Sequence, residues 1–226
     1  MKKSFGRVAR HPGESRDPAA KTGRWKNPTG RHAMSFLVNL EELEKEFQVT
    51  NKQNTDFPLI DGFAKAMALM VDAANRKKKL IFVGNGGSAA IASHQAVDFW
   101  KNGGIKAITF NDASLLTCLG NDCGYENVFS EPVRRFADPG DVVLAISSSG
   151  RSPNILNAAK AAHAVGSRVI TFSGFTADNP LRSLGDVNFF VPVRAYGLVE
   201  VSHLILIHAM LREIIYINPH VKKSGY

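Results

Sequence analysis

The sequence predicts an α/β domain: a three-layer, doubly wound, five-stranded parallel sheet with two further helices leading into it. Three observations carry this expectation. Five short, largely apolar runs, Leu80 to Val83, Ile105 to Phe110, Val142 to Ile146, Arg168 to Phe172 and Val187 to Val191, have the length of strands. Most lack the alternation of a half-exposed sheet, as strands covered on both faces do. Segments of helical period separate them, the order of parallel βαβ units. Two of the strands run into unusual turns, the glycine-rich Gly84-Asn-Gly-Gly-Ser88 and the hydroxyl-rich Ser147-Ser-Ser-Gly-Arg-Ser152, and such turns at strand ends of an open α/β sheet face one crevice.

The elements follow in order. From Phe36 to Phe47, the residues Leu37, Leu40, Leu43 and Phe47 fall at helical spacing with Glu41, Glu42, Glu44 and Glu46 between them. This is an amphipathic first helix whose apolar stripe needs a partner. Thr50 to Thr55 is polar and reads as a loop, and Pro58 suits the first turn of a second helix reaching about Asn75. That helix is apolar over much of its circumference, which places it either in the core or at a subunit interface. Arg76 to Lys79 reads as a solvated turn. A helix opens at Ser88 and runs to Lys101, with Asn102-Gly-Gly104 as its stop. Ser114 to Leu119 is a short helix, Gly120 to Tyr125 a turn, and Glu126 to Phe136 an amphipathic helix that contains Pro132. An Ala-rich helix, Ser152 to Val165, is closed by Gly166, and a long one from about Val199 to Ile217 ends at Pro219.

The chain of 226 residues fits one domain, residues 34–226, preceded by a basic extension, residues 1–33. The net charge of +8 invites a nucleic-acid partner, but the extension holds nine Lys or Arg against two acids, while the remainder holds nineteen against eighteen. The body therefore has no excess charge from which to build a duplex-sized basic face. The extension, with Pro12, Pro18 and Pro28 and no apolar run, is expected to be disordered. Its segment His11 to Pro18 resembles a translated bacterial intergenic repeat, which makes Met34 the expected start. Cys118 and Cys123 are too few and too close for a disulfide framework, and no apolar run has the length of a membrane span. The expectation is a soluble cytoplasmic protein that binds neither nucleic acid nor membrane.

The turns indicate the ligand. Gly84, Gly86 and Gly87 carry no side chain to keep an anion from the free N–H groups of a helix start, and Ser88 adds a hydroxyl. Gly84-x-Gly86-x-x-Ala89 also satisfies the permissive form of a dinucleotide fingerprint, with Asp112 near the end of the next strand. Against that stand Ser147, Ser148, Ser149 and Ser152, four hydroxyls in six residues, a basket for the oxygens of a terminal phosphate. Capping one helix and filling one turn would explain one or two of them. A phosphomonoester without a nucleotide cofactor is the expected ligand.

Gly84-Asn-Gly-Gly-Ser88, Gly120-Asn-Asp122 and Ile146-Ser-Ser-Ser-Gly-Arg-Ser152 resemble the signature turns of the sugar isomerase (SIS) domain, and within it the phosphoheptose isomerases. The likeness runs from about Leu37 to Ile217. It implies a homotetramer with active sites between subunits, and conversion of a ketose phosphate to an aldose phosphate: sedoheptulose 7-phosphate, or a related sugar phosphate, in the supply of lipopolysaccharide and other surface polysaccharide precursors. It implies that Asn85, Gly86, Asp122 and Glu200 contact the sugar and that the serines hold its phosphate.

Such isomerisation passes a proton between adjacent carbons through an enediol, which requires a base beside the carbon and an acid or cation at the oxygens. The resemblance assigns these roles to Asp98 as base and His208 as acid, with His94, Asp98, Glu200 and His208 able together to hold Zn²⁺. Two of the four depart from the family, in which the positions of Asp98 and Glu200 carry Glu and Gln. Asn102 and Gly197 likewise stand where the family has an Arg and an acid, so the far end of a heptose would lose its contacts. His203, three residues past Glu200, reads as structural. The alternative from another class is a non-catalytic SIS-fold adaptor or phosphosugar sensor, such as the replication-initiator-binding relatives.

Overall fold

The computed structural model describes residues 43–218. The basic extension, most of the first helix and Pro219 lie outside the described residues. The five expected strands are present as β3 (Leu80–Gly84), β4 (Ala107–Thr109), β5 (Val142–Ser147), β6 (Arg168–Gly174) and β7 (Val187–Val191). They pair in parallel throughout.

Two short strands were not expected. β1 (Gln48–Thr50) and β2 (Asp56–Phe57) add antiparallel to the β7 edge, giving a seven-stranded sheet of order β2-β1-β7-β6-β5-β3-β4. The polar segment read as a loop is thus the turn of a hairpin, with the Asn51 side chain accepting from the N–H groups of Gln53 and Thr55. Of the segment expected as the first helix, the described part forms a 3₁₀ turn at Glu44–Glu46 and gives way to β1 at Gln48.

The helices are α1 (Leu59–Asn75), α2 (Gly87–Lys101), α3 (Ala113–Asp122), α4 (Ser130–Phe136), α5 (Pro153–Ala164) and α6 (Tyr196–Ile217). Pro132 lies in the first turn of α4, where its missing N–H costs nothing, and a separate 3₁₀ turn, Tyr125–Asn127, takes the place of the expected earlier half. Alternate strand residues divide the core in two. Leu80, Phe82, Leu144, Ile146 and Phe172 pack with α1, α2 and α6. Ile81, Val83, Val143, Ala145 and Val169 pack with α3, α4 and α5. The period of two along fully buried strands produces the three layers.

Among the parallel strands the order reverses between β3 and β5, each of which leaves toward a different side of the sheet. Ligands of open α/β sheets bind outside the carboxyl ends of the strands at such a reversal. The two unusual turns follow β3 and β5. At the opposite end of these strands the basic run is not simply solvated: Lys79 pairs with buried Asp141 at 2.6 Å and with Asp138 at 2.9 Å. Burial works to lower the Lys79 pKa, but its bonds to the two carboxylates outweigh this and raise it. Among the described residues no helix is long and apolar enough to cross a membrane.

Candidate active site

The Gly turn leaves β3 through Gly86, whose φ of +53° is left-handed, and α2 begins at Gly87 without a side-chain cap. The N–H groups of Gly87 and Ser88 are therefore uncapped, while those of Ala89 and Ala90 already bond to the Asn85 and Gly86 carbonyls, and Ser88 is buried in the first turn. Across the crevice, β5 ends in Ser147 and the chain turns at Gly150, φ +62°. Ser152 occupies the N-cap of α5 yet makes no cap bond; its hydroxyl lies 3.3 Å from that of Ser147. Ser148 Oγ is buried without a partner, and Ser149 Oγ accepts from the Arg151 N–H at 3.3 Å. Helix capping therefore does not account for the serines: Ser147 and Ser152 bond to each other, Ser149 bonds within its own turn, and Ser148 has no partner. Arg151 leans away from them to Asp178, 2.8 Å distant.

Asn85, in the Gly turn, exchanges two hydrogen bonds with Asn154 of α5, of 2.8 and 2.9 Å, and the Tyr125 hydroxyl donates to its Oδ1 at 3.4 Å. Neither partner was expected. A reciprocal amide pair joining residues 69 apart leaves no local pattern in the sequence.

Helices α2 and α6 pack side by side and run in the same direction. The Glu200 carboxylate lies directly over Gly87, where an added Cβ would meet only its flexible end, and about two turns on in each helix His208 meets His94, ring centres 5.4 Å apart. His94 Nε2 is 3.3 Å from Asp98 Oδ2, and the Asn102 amide donates to Asp98 Oδ1 at 3.0 Å. His94, Asp98 and His208 offer ligand atoms that all lie within 4.8 Å of one another. Glu200 does not join this group: the expected set of four is a set of three, with the fourth expected ligand, the Glu200 carboxylate, lying over the start of α2. Burial lowers the His208 pKa, the neighbouring His94 lowers it further, and Asp98 opposes both.

Comparison with known proteins gives this geometry a family. A model of the SIS domain matches residues 50–174. The phosphoheptose isomerase of Hamiltonella defensa subsp. Acyrthosiphon pisum is 35% identical over 176 residues, 75% of this chain and 85% of its own. This chain belongs to the SIS domain family. Within that family its relatives are phosphoheptose isomerases: that of Geotalea daltonii is 34% identical over 179 residues, 76% of this chain and 93% of its own. In three dimensions the phosphoheptose isomerase of Neisseria gonorrhoeae superposes with a TM-score of 0.70 at 33% identity, covering 81% of this chain and 95% of that one.

Two other predicted positions of this SIS chain lie at the two ends of α3. Asp122 is the last residue of α3 rather than part of a turn, exposed, with its side-chain bonds to Asn121 and Cys118. The bond to Asp122 raises the Cys118 pKa, keeping the thiol protonated. Asp112, the acid a dinucleotide site would have used, caps α3 by accepting from the N–H groups of Ser114 and Leu115. His94, Asp98 and His208 are a donor set suited to Zn²⁺, two imidazoles and a carboxylate, the composition of catalytic sites that keep one coordination position open.

His203 is structural, as expected. It is fully buried on α6 and donates from Nε2 to the Ser173 carbonyl at 3.1 Å. Burial lowers its pKa to about 4, the Ser173 bond only partly opposing this. The unfolded chain, with a His pKa of about 6.5, takes up this proton first, so stability is complete above pH 6.5 and falls as pH drops toward 4. The expected loss is about 3 kcal/mol by linkage. Denaturant unfolding at pH 7 and pH 4.5 measures it, and His203→Gln should flatten the slope.

Proposed function

We propose that this SIS protein is an aldose–ketose isomerase of a phosphorylated sugar, working through an enediol. The observation that supports this most is the separation of two chemistries along one helix pair. A hydroxyl and N–H crevice lies at the start of α2, and a His–Asp–His group lies about 10 Å further on, seven residues at 1.5 Å each. A sugar phosphate bridges that span with its phosphate at one end and its reacting carbons at the other. Ser88, Ser147, Ser148, Ser149 and Ser152 hold the phosphate, and the unpartnered Ser148 hydroxyl gains the acceptor it lacks. Asn85, Gly86, Asp122 and Glu200 meet the sugar. Asp98 moves the proton between adjacent carbons. His208, which burial favours as neutral imidazole, donates its N–H to the substrate oxygens. Zn²⁺ held by His94, Asp98 and His208 supplies Lewis-acid polarisation of those oxygens when bound. A binding adaptor would have no use for this grouping.

The relatives' names point to a heptose phosphate, for which sedoheptulose 7-phosphate is our candidate, while Asn102 and Gly197 favour a related sugar phosphate, in a cytoplasmic route to lipopolysaccharide or other surface polysaccharide precursors. The test is proton exchange in D₂O with sedoheptulose 7-phosphate and a panel of hexose and pentose phosphates, with and without Zn²⁺. Deuterium beside the carbonyl of one sugar supports the reading; binding without exchange across the panel returns it to the sensor class.

The assembly proposed is a homotetramer. Between α1 and α6 lies a groove of about 1120 Å³ lined by Leu59, Ile60, Phe63, Met67, Ile215 and Tyr216. Ile60 is 74% exposed and Tyr216 69%, an apolar concentration that suits a second copy of the chain. The groove reaches Ala209, the neighbour of His208, so a subunit seated there adjoins the candidate site. Ile60→Glu is expected to dissociate the oligomer in light scattering with little change in monomer helicity; an unchanged mass would place the interface elsewhere.

A further inference from the structure

Asn154 is 2% exposed on the first turn of α5, and both ends of its amide are spent on Asn85: Nδ2 donates to Asn85 Oδ1 at 2.9 Å, and Oδ1 accepts from Asn85 Nδ2 at 2.8 Å. The Tyr125 hydroxyl, in the 3₁₀ turn just after α3, donates to the same Asn85 Oδ1 at 3.4 Å. A primary amide has two N–H groups and two acceptor lone pairs. Both acceptor positions of Asn85 are thus filled and one N–H is used, which leaves a single N–H for anything else. Turning the Asn85 amide over alone would set N–H against N–H and oxygen against oxygen across the pair, so Asn154 ties the orientation of Asn85 to its own.

We propose that Asn154 is the positioning residue of the crevice. It holds the Asn85 amide so that one N–H is presented to an oxygen of the sugar phosphate, and together with Tyr125 it ties the Gly turn after β3, the start of α5 beside the serine turn, and the segment after α3 at one spacing. The inference rests on the reading of this crevice as the phosphosugar site. It also narrows what Asn85 can do: it recognises an acceptor oxygen and has no carbonyl lone pair left to receive a substrate hydroxyl.

The test compares wild type, Asn154→Leu, Asn85→Ala, the double variant and Tyr125→Phe, using whichever sugar phosphate undergoes exchange with the wild type. Asn154→Leu keeps the branching and loses the amide. It is expected to raise KM about tenfold with a smaller fall in kcat, because a freed amide weakens binding of ground state and transition state together. In the Asn85→Ala background the same change should add nothing, since a positioning residue acts only through its partner. Tyr125 is exposed, so Tyr125→Phe keeps the fold and should raise KM about threefold even if Asn154→Leu fails to fold. Wild-type KM in a folded Asn154→Leu, effects of Asn154→Leu and Asn85→Ala that multiply, or an unchanged KM in Tyr125→Phe would overturn the proposal and leave the crevice reading standing. Absence of phosphosugar binding by the wild type would overturn both.

Discussion

Asp98→Asn is expected to lower turnover by about 10²–10⁴-fold, the usual contribution of a positioned general base, while phosphosugar binding and folding persist. The carboxylate is held at both oxygens, by the Asn102 amide at 3.0 Å and by His94 Nε2 at 3.3 Å. An amide of the same shape can keep its oxygen toward Asn102 and turn its NH₂ toward His94, whose ring nitrogen accepts in the other tautomer. The hydrogen bonds survive and the basicity does not. Asp98 is also one of three candidate metal ligands, so exchange in D₂O should be measured with and without Zn²⁺. If the loss is the same in both, the missing function is the base; if excess Zn²⁺ restores turnover, the missing function is metal affinity. Thermal shift with the sugar phosphate checks binding, and undiminished exchange would remove Asp98 from the mechanism.

How far the sequence anticipates this arrangement depends on the range of the interaction. The five parallel strands are legible because burial on both faces makes them apolar regardless of their neighbours. The antiparallel pair is not: β1 and β2 are three and two residues long, mostly polar, and depend on the β7 edge for their ladder. Val49 and Phe57 are their only apolar residues, too few to show a period. Within the site, the turn residues are legible because three glycines in four residues and four serines in six exceed what one turn or one helix cap needs. Contacts across the fold are another matter. Resemblance placed Glu200 with the histidines, but it stands eight residues before His208 on one helix, about 12 Å along the axis, and the bare face of Gly87 lies nearer. The Asn85–Asn154 pair exists only because the sheet order brings β3 beside β5.

That same adjacency makes Gly84 the least replaceable residue of the turn. Gly84→Ala is expected to destabilise the protein by about 2–3 kcal/mol, in the range of overpacked cores, and to lower Tm by roughly 5–10 °C for a chain of this size. A Cβ at Gly84 would stand 2.5 Å from the Ser88 carbonyl oxygen and 2.6 Å from its carbon. Both are main-chain atoms in the first turn of α2, and no side-chain rotation relieves the overlap. Gly84 itself is the last residue of β3, in register with Ile146 of β5, so the sheet resists moving and the start of α2 must shift instead. That shift carries Ser88 and the uncapped N–H groups away from the serine turn, so phosphosugar affinity should fall about tenfold or more along with stability. Gly87→Ala is the control: its Cβ meets only the flexible end of Glu200, which can swing aside, and its Tm should stay within a degree or two of wild type. Equal melting temperatures for the two variants would show that α2 accommodates a methyl group at Gly84 without strain, and the close approach of strand and helix would then not be what sets the anion site.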